Sequence, residues 1–221
     1  MSSTQTVPAR RCAATVVRAN QRIKIINTYG NQVVDTWVFA LPWTAIGTTS
    51  SRLEAPLYPA ASAASSSSYS TAANRAAARP EFMSMSHCCA KLLKPIPGVG
   101  DTLVNQKRAP LVKLIEDTSP GTHDTLIAAA GDSEEGEILA GLQTRMGGRV
   151  PDLFKLFRNI PVTQEGEGAR RRISFEAPVT KAMYHVVFEA LRDVVVVMSA
   201  CPQDMLEING KKPVNAHFKV Y

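Results

Sequence analysis

The sequence has few aromatic residues and no long apolar segment. Phe, Trp and Tyr together make up 6% of its 221 residues, and they do not alternate with basic side chains as a surface that stacks nucleic-acid bases would require. The longest apolar runs, such as Val194 to Met198, are far shorter than the roughly 20 residues of a membrane-spanning helix. We therefore expect no nucleic-acid partner and no membrane partner.

Cysteine is also scarce. The four cysteines are Cys12, Cys88, Cys89 and Cys201, and they form no Cys-x-x-Cys pair of the kind that structural zinc sites use. The first residues lack the apolar core of a signal peptide. We therefore expect a cytoplasmic protein in which the vicinal Cys88 and Cys89 are free thiols and no disulfide scaffold is needed.

The composition is sufficient for one folded domain. Hydrophobic residues account for 45% of the chain, and the net charge of +6 is spread over scattered basic residues, which is typical of a solvated surface. The length favours a single domain spanning residues 1–221. Residues 42–80, rich in alanine and serine, are interpreted as a low-complexity insertion.

Hydrophobic patterns predict many strands and few helices. Residues 14–40 have the pattern of a β-meander, and residues 83–86 alternate like a half-buried strand. Glu135 to Met146 and Asp152 to Phe157 are the candidate helices. These patterns predict a β-rich α+β domain, sandwich-like or barrel-like, with a few short helices.

Two acids, a turn and a His-Asp pair follow the apolar run that starts at Leu111. Glu116 and Asp117 end this run, Thr118-Ser119-Pro120-Gly121 has the composition of a tight turn, and His123 and Asp124 come directly after it. This order would deliver four titratable side chains to one end of a sheet and so predicts a pocket. The alternative is structural, since Asp117 forms turns readily, Asp124 is a good helix N-cap, and a lone histidine is usually hydrogen-bonded.

Polar groups also follow a second apolar run. Val194 to Met198 is typical of a buried central strand, and Cys201, Gln203 and Asp204 come shortly after it. Asp35 interrupts another apolar strand, where a carboxylate must be exposed or paired. We interpret Asp35 first as a structural hydrogen-bond acceptor and second as a site residue.

Several segments together resemble the urea carboxylase-associated family, a domain of unknown function. The matching segments occur in family order: IIN…GNQVVDTW at residues 25–37, EFMSMSH at 81–87, GDTL at 100–103, EDTSPG…HDTL at 116–126, and SACPQD…NG at 199–210. They cover most of the chain outside residues 41–80 and 131–152. Bacterial relatives act beside urea or guanidine carboxylase and resemble metal-using hydrolases that remove nitrogen from carboxylated guanidine.

The resemblance implies a small-molecule substrate and named roles for particular residues. His123 and Asp124 would be general acid/base groups or metal ligands, and Cys201 would be a second ligand or a nucleophile, with Glu81 and His87 on the pocket wall. The polar groups at the two strand ends, and not the resemblance, add Glu116 and Asp117 to the catalytic candidates. We expect His123 and Cys201 to look into one shared pocket. The substrate-binding candidates are Gln32, Asp35, Glu81, His87, Gln203 and Asp204.

The sequence departs from the family pattern at its metal ligands. The positions where the family has a cysteine and an acid hold Ala130 and Gly131, and Cys88 and Cys89 replace a threonine and an arginine. A divalent metal such as zinc is implied by the family, but the expected ligands are missing here. The cofactor and the metal ligands therefore stay open.

Three functions remain open at this point. The first is a small-molecule metabolic enzyme resembling the carboxyguanidine deiminase-like hydrolases, with an altered pocket. The second is a tailoring protein of fungal secondary metabolism, because fungal relatives occur in such pathways. The third is a non-catalytic partner subunit with the same fold, and either a homo-oligomer or a hetero-oligomer is compatible with the sequence.

Overall fold

The protein is built from two antiparallel β-sheets. The computed structural model describes residues 3–41, 81–125, 151–162 and 172–221. Of these residues, 42% lie in strands or bridges and 8% in helices. The strands are β1 (Gln5–Val7), β2 (Cys12–Val17), β3 (Arg22–Asn27), β4 (Val34–Ala40), β5 (Thr102–Val104), β6 (Pro110–Asp117), β7 (Phe154–Leu156), β8 (Tyr184–Ala190), β9 (Val194–Ala200) and β10 (Ala216–Val220).

The ten strands divide into a large and a small sheet. The large sheet has the strand order β1-β10-β3-β8-β6-β5, and the small sheet has the order β2-β9-β4-β7. Helix α1 (Met85–Leu92) precedes β5, and a short 3-10 turn (Glu207–Asn209) precedes β10. Consecutive strands β2, β3 and β4 alternate between the sheets, so the predicted β-meander of residues 14–40 is wrong although its three strands exist.

The main core lies between the two sheets. On β4, Val34 and Val38 belong to this core, and on β7 so does Phe154. The ring centroid of Phe154 lies 6.3 Å from that of Phe188 on β8, which joins the small sheet to the large one. The alternating side chains of β4 and β9 point away from this core, because successive residues of a strand face opposite sides.

The outer face of the small sheet is buried too. Trp37, Phe39, Val195 and Val197 form a second apolar cluster there, with Leu153 beside them. Both β4 and β9 are therefore buried along their whole length. A polar residue on this outer face is withdrawn from water as completely as one in the main core.

The α+β class predicted from the sequence is wrong, because the described fold is mostly β. Residues 154–156, placed in a candidate helix, form β7, since Phe154 and Leu156 face the core while Lys155 faces away. Helix α1 lies where alternation favoured a strand. Its buried residues Met85 and Cys88 are three positions apart, which is the helical spacing. The candidate helix 135–146 and the insertion 42–80 lie outside the described residues.

Helix α1 follows Ser84 and is capped at its C-terminal end by Leu93, which adopts the left-handed conformation with φ 56°. The backbone N–H of Leu93 is thereby directed to the carbonyl of Cys89. Among the described residues, helical segments are too short and too polar to cross a membrane.

Candidate functional site

A row of five polar side chains crosses the outer face of the small sheet. In strand register, Cys12 lies opposite Ser199, Ser199 opposite Asp35, and Asp35 opposite Lys155. Lys155 in turn lies opposite Asp124, which pairs with it through an isolated bridge. Directly opposed residues share one face of a sheet. The pairing therefore brings together residues from five chain segments, and we call this set the polar row.

The charged members of the polar row are buried. Asp35, Lys155 and Asp124 are only 3%, 6% and 3% exposed. Nζ of Lys155 lies 3.8 Å from Oδ1 of Asp35, which is an ion pair without a hydrogen bond. Nη1 of Arg158, a buried residue just after β7, donates to Oδ2 of Asp124 over 3.0 Å. Two carboxylates and two cations thus share one water-poor region.

Two buried atoms in this region lack a hydrogen-bond partner among the described residues. They are Oδ1 of Asp35 and Nε of Arg158. A buried polar atom left without a partner costs about 1–3 kcal/mol, so such atoms are rare in structural networks. Each atom therefore keeps an unused hydrogen-bonding capacity, Oδ1 of Asp35 as an acceptor and Nε of Arg158 as a donor.

Burial raises the pKa of Asp35 above its ordinary value of 3.8. The positive charges of Lys155 and Arg158 oppose this shift, and the negative charge of Asp124 adds to it. Water can no longer solvate the ionised form, and the two cations only partly replace that solvation. Asp35 thus has the environment of a proton donor and acceptor.

Cys201 is placed next to Asp35 by the end of β9. Its backbone N–H donates to the carbonyl of Val33 over 3.0 Å, and its thiol is close enough to the carboxyl group of Asp35 for each group to shift the pKa of the other. Burial, and then the charge of Asp35, raise the pKa of the thiol to about 11. The thiol is therefore protonated at neutral pH and is a hydrogen-bond donor, not a ready nucleophile.

The loop that carries Asp124 is held tightly against the end of β7. Gly121 lies so close to the backbone that an added Cβ would be 2.7 Å from the carbonyl oxygen of Arg158, so only glycine fits there without a shift. The amide of Ile160 donates to the carbonyl of Thr122 over 3.0 Å. This close approach sets Asp124 opposite Lys155.

His123 faces the other side of the small sheet from Asp35 and Cys201. Its ring packs edge-on against Phe154 of the main core, with the ring centroids 5.2 Å apart. The backbone N–H of Phe157 donates to Nδ1 of His123 over 3.0 Å, so the ring proton is carried by Nε2, which donates to Oδ2 of Asp117 over 3.0 Å. Both nitrogens are engaged, and the structure does not bring His123 and Cys201 into one pocket.

Glu116 and Asp117 point in different directions at the end of β6. Glu116 is exposed and lies 2.9 Å from Nε2 of His185. Asp117 accepts from His123 and also from the amide of Ser119 over 2.8 Å, as a turn-forming aspartate does. Neither carboxylate belongs to the polar row.

Gln32, Gln203 and Asp204 shape the segment that follows β9. Gln32 is fully buried. Its side chain donates to the carbonyl of Cys201 over 3.2 Å and accepts from the amide of Val214 over 2.7 Å. Nδ2 of Asn209 donates to the same carbonyl of Cys201 over 3.0 Å.

Gln203 and Asp204 lie nearer the surface. The side chain of Gln203 accepts from the amide of Leu206 over 3.1 Å, while Asp204 pairs with Arg10.

Glu81 and His87 lie away from the polar row. Glu81 accepts from Lys107, Asn105 and Arg192 over 2.9, 2.8 and 3.2 Å, and the hydrogen bond from Lys107 contributes most to lowering its pKa. His87 lies in α1, with Nδ1 2.9 Å from Oγ of Ser84. The roles predicted for these residues stay predictions.

Sequence reasoning missed Lys155, Arg158 and Asn209. The pattern of residues 152–157 predicts a helix, and a helix does not place Lys155 opposite Asp35. Asp35, by contrast, carried a signal, since a carboxylate within an apolar strand needs a specific partner. Its partners are recognised only when the strand register is known.

The described residues do not fit the zinc site that the family resemblance implies. They contain no group of three or more His, Cys, Asp or Glu residues that could hold a metal ion. His123 has no free nitrogen, and the carboxylates of the polar row already face Lys155 and Arg158.

Comparisons with known proteins support the fold. Neither a family model nor a curated protein matches the sequence. Among solved structures, a crystal structure of a DUF1989 family protein from Silicibacter pomeroyi DSS-3 matches with a TM-score of 0.65 and 16% identity, covering 100% of this chain and 77% of that one. At this identity the likeness shows the fold alone. The chain has the fold of a DUF1989 family protein, and the urea carboxylase-associated assignment is still a resemblance.

Proposed function

We propose that this protein is a small-molecule enzyme whose active centre is the polar row with Arg158 and Cys201. The observation that carries the proposal is the burial of opposed charges around two unpartnered atoms, Oδ1 of Asp35 and Nε of Arg158. A purely structural network would satisfy its buried polar atoms. Perturbed titratable groups that cluster in this way are characteristic of catalytic sites.

Asp35 transfers the proton in the proposed mechanism. Because burial raises its pKa, the neutral carboxylic acid can donate a proton to a leaving nitrogen or oxygen, and the resulting carboxylate can take a proton back. The charges of Lys155 and Arg158 stabilise negative charge that develops on the substrate. The thiol of Cys201 positions the carboxyl group of Asp35.

The family resemblance supports two finer versions of this proposal. A carboxyguanidine deiminase-like hydrolase would add water to a carbon–nitrogen bond and release ammonia. A tailoring enzyme would convert a ring or amide intermediate of a biosynthetic pathway instead of a guanidine. The identity of the consumed compound separates these versions, and a deiminase product in addition gains one water and loses one ammonia.

Activity-based metabolite profiling tests the proposal. Purified protein is incubated with a small-molecule cell extract, and consumed compounds are identified by mass spectrometry. We expect wild type to consume at least one compound, and Asp35→Asn to slow that consumption by at least about a hundredfold, the usual contribution of a general acid or base. The control is Asp193→Asn, which removes a surface carboxylate paired with Arg18. No consumption by wild type, or equal rates for Asp35→Asn, contradicts the proposal.

A further inference from the structure

The guanidinium group of Arg158 uses only part of its hydrogen-bonding capacity within the described residues. Nη1 binds Asp124, and one face of the group is covered by the ring of Phe175, whose centroid lies 5.3 Å from Cζ. Nε has no hydrogen-bond partner among the described residues. An arginine held by a carboxylate and an aromatic ring is pre-organised, so a further acceptor at Nε would bind with little additional loss of entropy.

The segment that contains Phe175 is fixed against the residues after β7. The amide of Ser174 donates to the carbonyl of Pro161, and the amide of Glu176 donates to the carbonyl of Asn159, both over 3.0 Å. Phe175 is nevertheless 50% exposed, although Arg158 beneath it is only 5% exposed. The ring therefore stands between the guanidinium group and the solvent, as the wall of a binding site does.

The local charge favours an anion. Asp124 compensates Arg158, while Nζ of Lys155 lies 3.8 Å from the carboxyl group of Asp35, whose ionised form is disfavoured by burial. When Asp35 holds its proton, the buried charges sum to a positive value. An anionic group would restore neutrality and give Nε of Arg158 an acceptor, and both effects are large where water is excluded.

We propose that the substrate carries a carboxylate group that binds between Nε of Arg158 and Nζ of Lys155, and that Phe175 limits the size of the group next to this carboxylate. The inference rests on the proposed function for the location of the site, but binding does not require turnover. It assigns to Phe175 a role in specificity that the sequence did not suggest.

Binding of simple carboxylates tests the inference. Pyruvate and benzoate are the probes, and their neutral amides, pyruvamide and benzamide, are the matched controls. Binding is measured by saturation-transfer NMR and isothermal titration calorimetry on the full chain. We expect the carboxylates to bind at least about tenfold more tightly than the amides, as a charge-assisted hydrogen bond implies. Equal affinity for acids and amides, or no binding of either acid, overturns the inference.

Variants locate the binding group. Arg158→Lys keeps a positive charge beside Asp124 but removes the Nε donor, so we expect about tenfold weaker carboxylate binding. The matched control is Arg22→Lys, which alters the surface pair with Glu189 and is expected to leave binding unchanged. If Arg158→Lys binds like wild type, the carboxylate is not held at Nε.

A double variant allows for the instability of a broken buried pair. Asp124→Asn combined with Arg158→Gln removes both charges together, which is tolerated better than removing one. We expect this variant to fold and to lose carboxylate binding, and retained binding overturns the inference. Phe175→Ala is expected to raise the affinity for benzoate relative to that for pyruvate by about tenfold. An unchanged ratio of the two affinities would show that Phe175 does not limit the size of the bound group.

Two outcomes separate this inference from the proposed function. Carboxylate binding that Arg158→Lys weakens, together with wild-type turnover in Asp35→Asn, supports the anion site and contradicts proton transfer by Asp35. Turnover that depends on Asp35, with no discrimination between acids and amides, supports the enzyme and contradicts the carboxylate site.

Discussion

Asp35 and Lys155 oppose each other in register on β4 and β7, and their charged atoms lie 3.8 Å apart in a buried region. An ion pair at this distance lacks the hydrogen bond that usually offsets the cost of burying two charges. Asp35 Oδ1 is consequently an acceptor without a donor among the described residues.

Asp35 makes the stability of the protein fall as pH rises. Its pKa is raised above 3.8 in the folded state, so the folded protein keeps this proton to a higher pH than the unfolded chain does. The contribution is fully present below pH 3.8 and is lost as pH rises through the folded pKa, at about 1.4 kcal/mol for each unit of the shift.

The comparison of wild type with Asp35→Asn isolates this contribution. We expect the free energy of unfolding of wild type, relative to that of the variant, to decrease between pH 4 and pH 8 in urea titrations. The surface variant Asp193→Asn should show no such decrease, because a hydrogen bond from Ala19 lowers the pKa of Asp193 and its contribution to stability is already complete above about pH 4. A difference between wild type and Asp35→Asn that does not change with pH contradicts the prediction.

His123 is expected to act through structure and not through chemistry. Replacement with alanine leaves the amide of Phe157 and the carboxylate of Asp117 without their partner and opens a cavity beside Phe154. We expect His123→Ala to lower the free energy of unfolding by about 3 kcal/mol. His185→Ala, which breaks an ion pair with exposed Glu116, is expected to cost less than about 1 kcal/mol. Urea unfolding measures both losses of stability. Equal losses for the two variants would contradict the buried, doubly hydrogen-bonded arrangement of His123.

The buried thiols are expected to resist alkylation. Burial raises the pKa values of Cys88 and Cys201 to about 11, so only about one molecule in a thousand carries either thiolate at pH 8. We expect iodoacetamide at pH 8 to modify the half-buried Cys12 and Cys89 first, as mapped by mass spectrometry. Rapid modification of Cys201 in the folded protein would mean that its thiol is activated, and would return it to the role of a nucleophile.

Most strands could be predicted from the sequence. Apolar runs such as residues 111–115 and 194–198 have to be buried, and runs of this length are typical of buried strands. The sheet order could not be predicted, since it depends on pairings between distant segments. Helix α1 was hidden because Met83 and Met85 alternate with serines, whereas the buried spacing from Met85 to Cys88 is helical.

The residues of the candidate site likewise divide into those that the sequence identifies and those that only the structure reveals. Asp35, Asp124 and Cys201 were named from the sequence, and the structure brings these three together. His123 adjoins Asp124 in the chain but faces the main core, because neighbouring residues along an extended segment point to opposite sides. Lys155 and Arg158 gave no signal, since a basic residue in a short segment usually lies on the surface. The register with Asp35 identifies Lys155, and the hydrogen bond to Asp124 identifies Arg158.

The carboxyl group of Asp35 provides the most direct test that the polar row exists as one electrostatic unit. Carbon-13 NMR follows its titration in wild type, Lys155→Met and Asp124→Asn. The account predicts a midpoint above 3.8 in wild type, a higher midpoint without the charge of Lys155, and a lower one without that of Asp124. A midpoint at or below 3.8, or one that neither substitution moves, would contradict it.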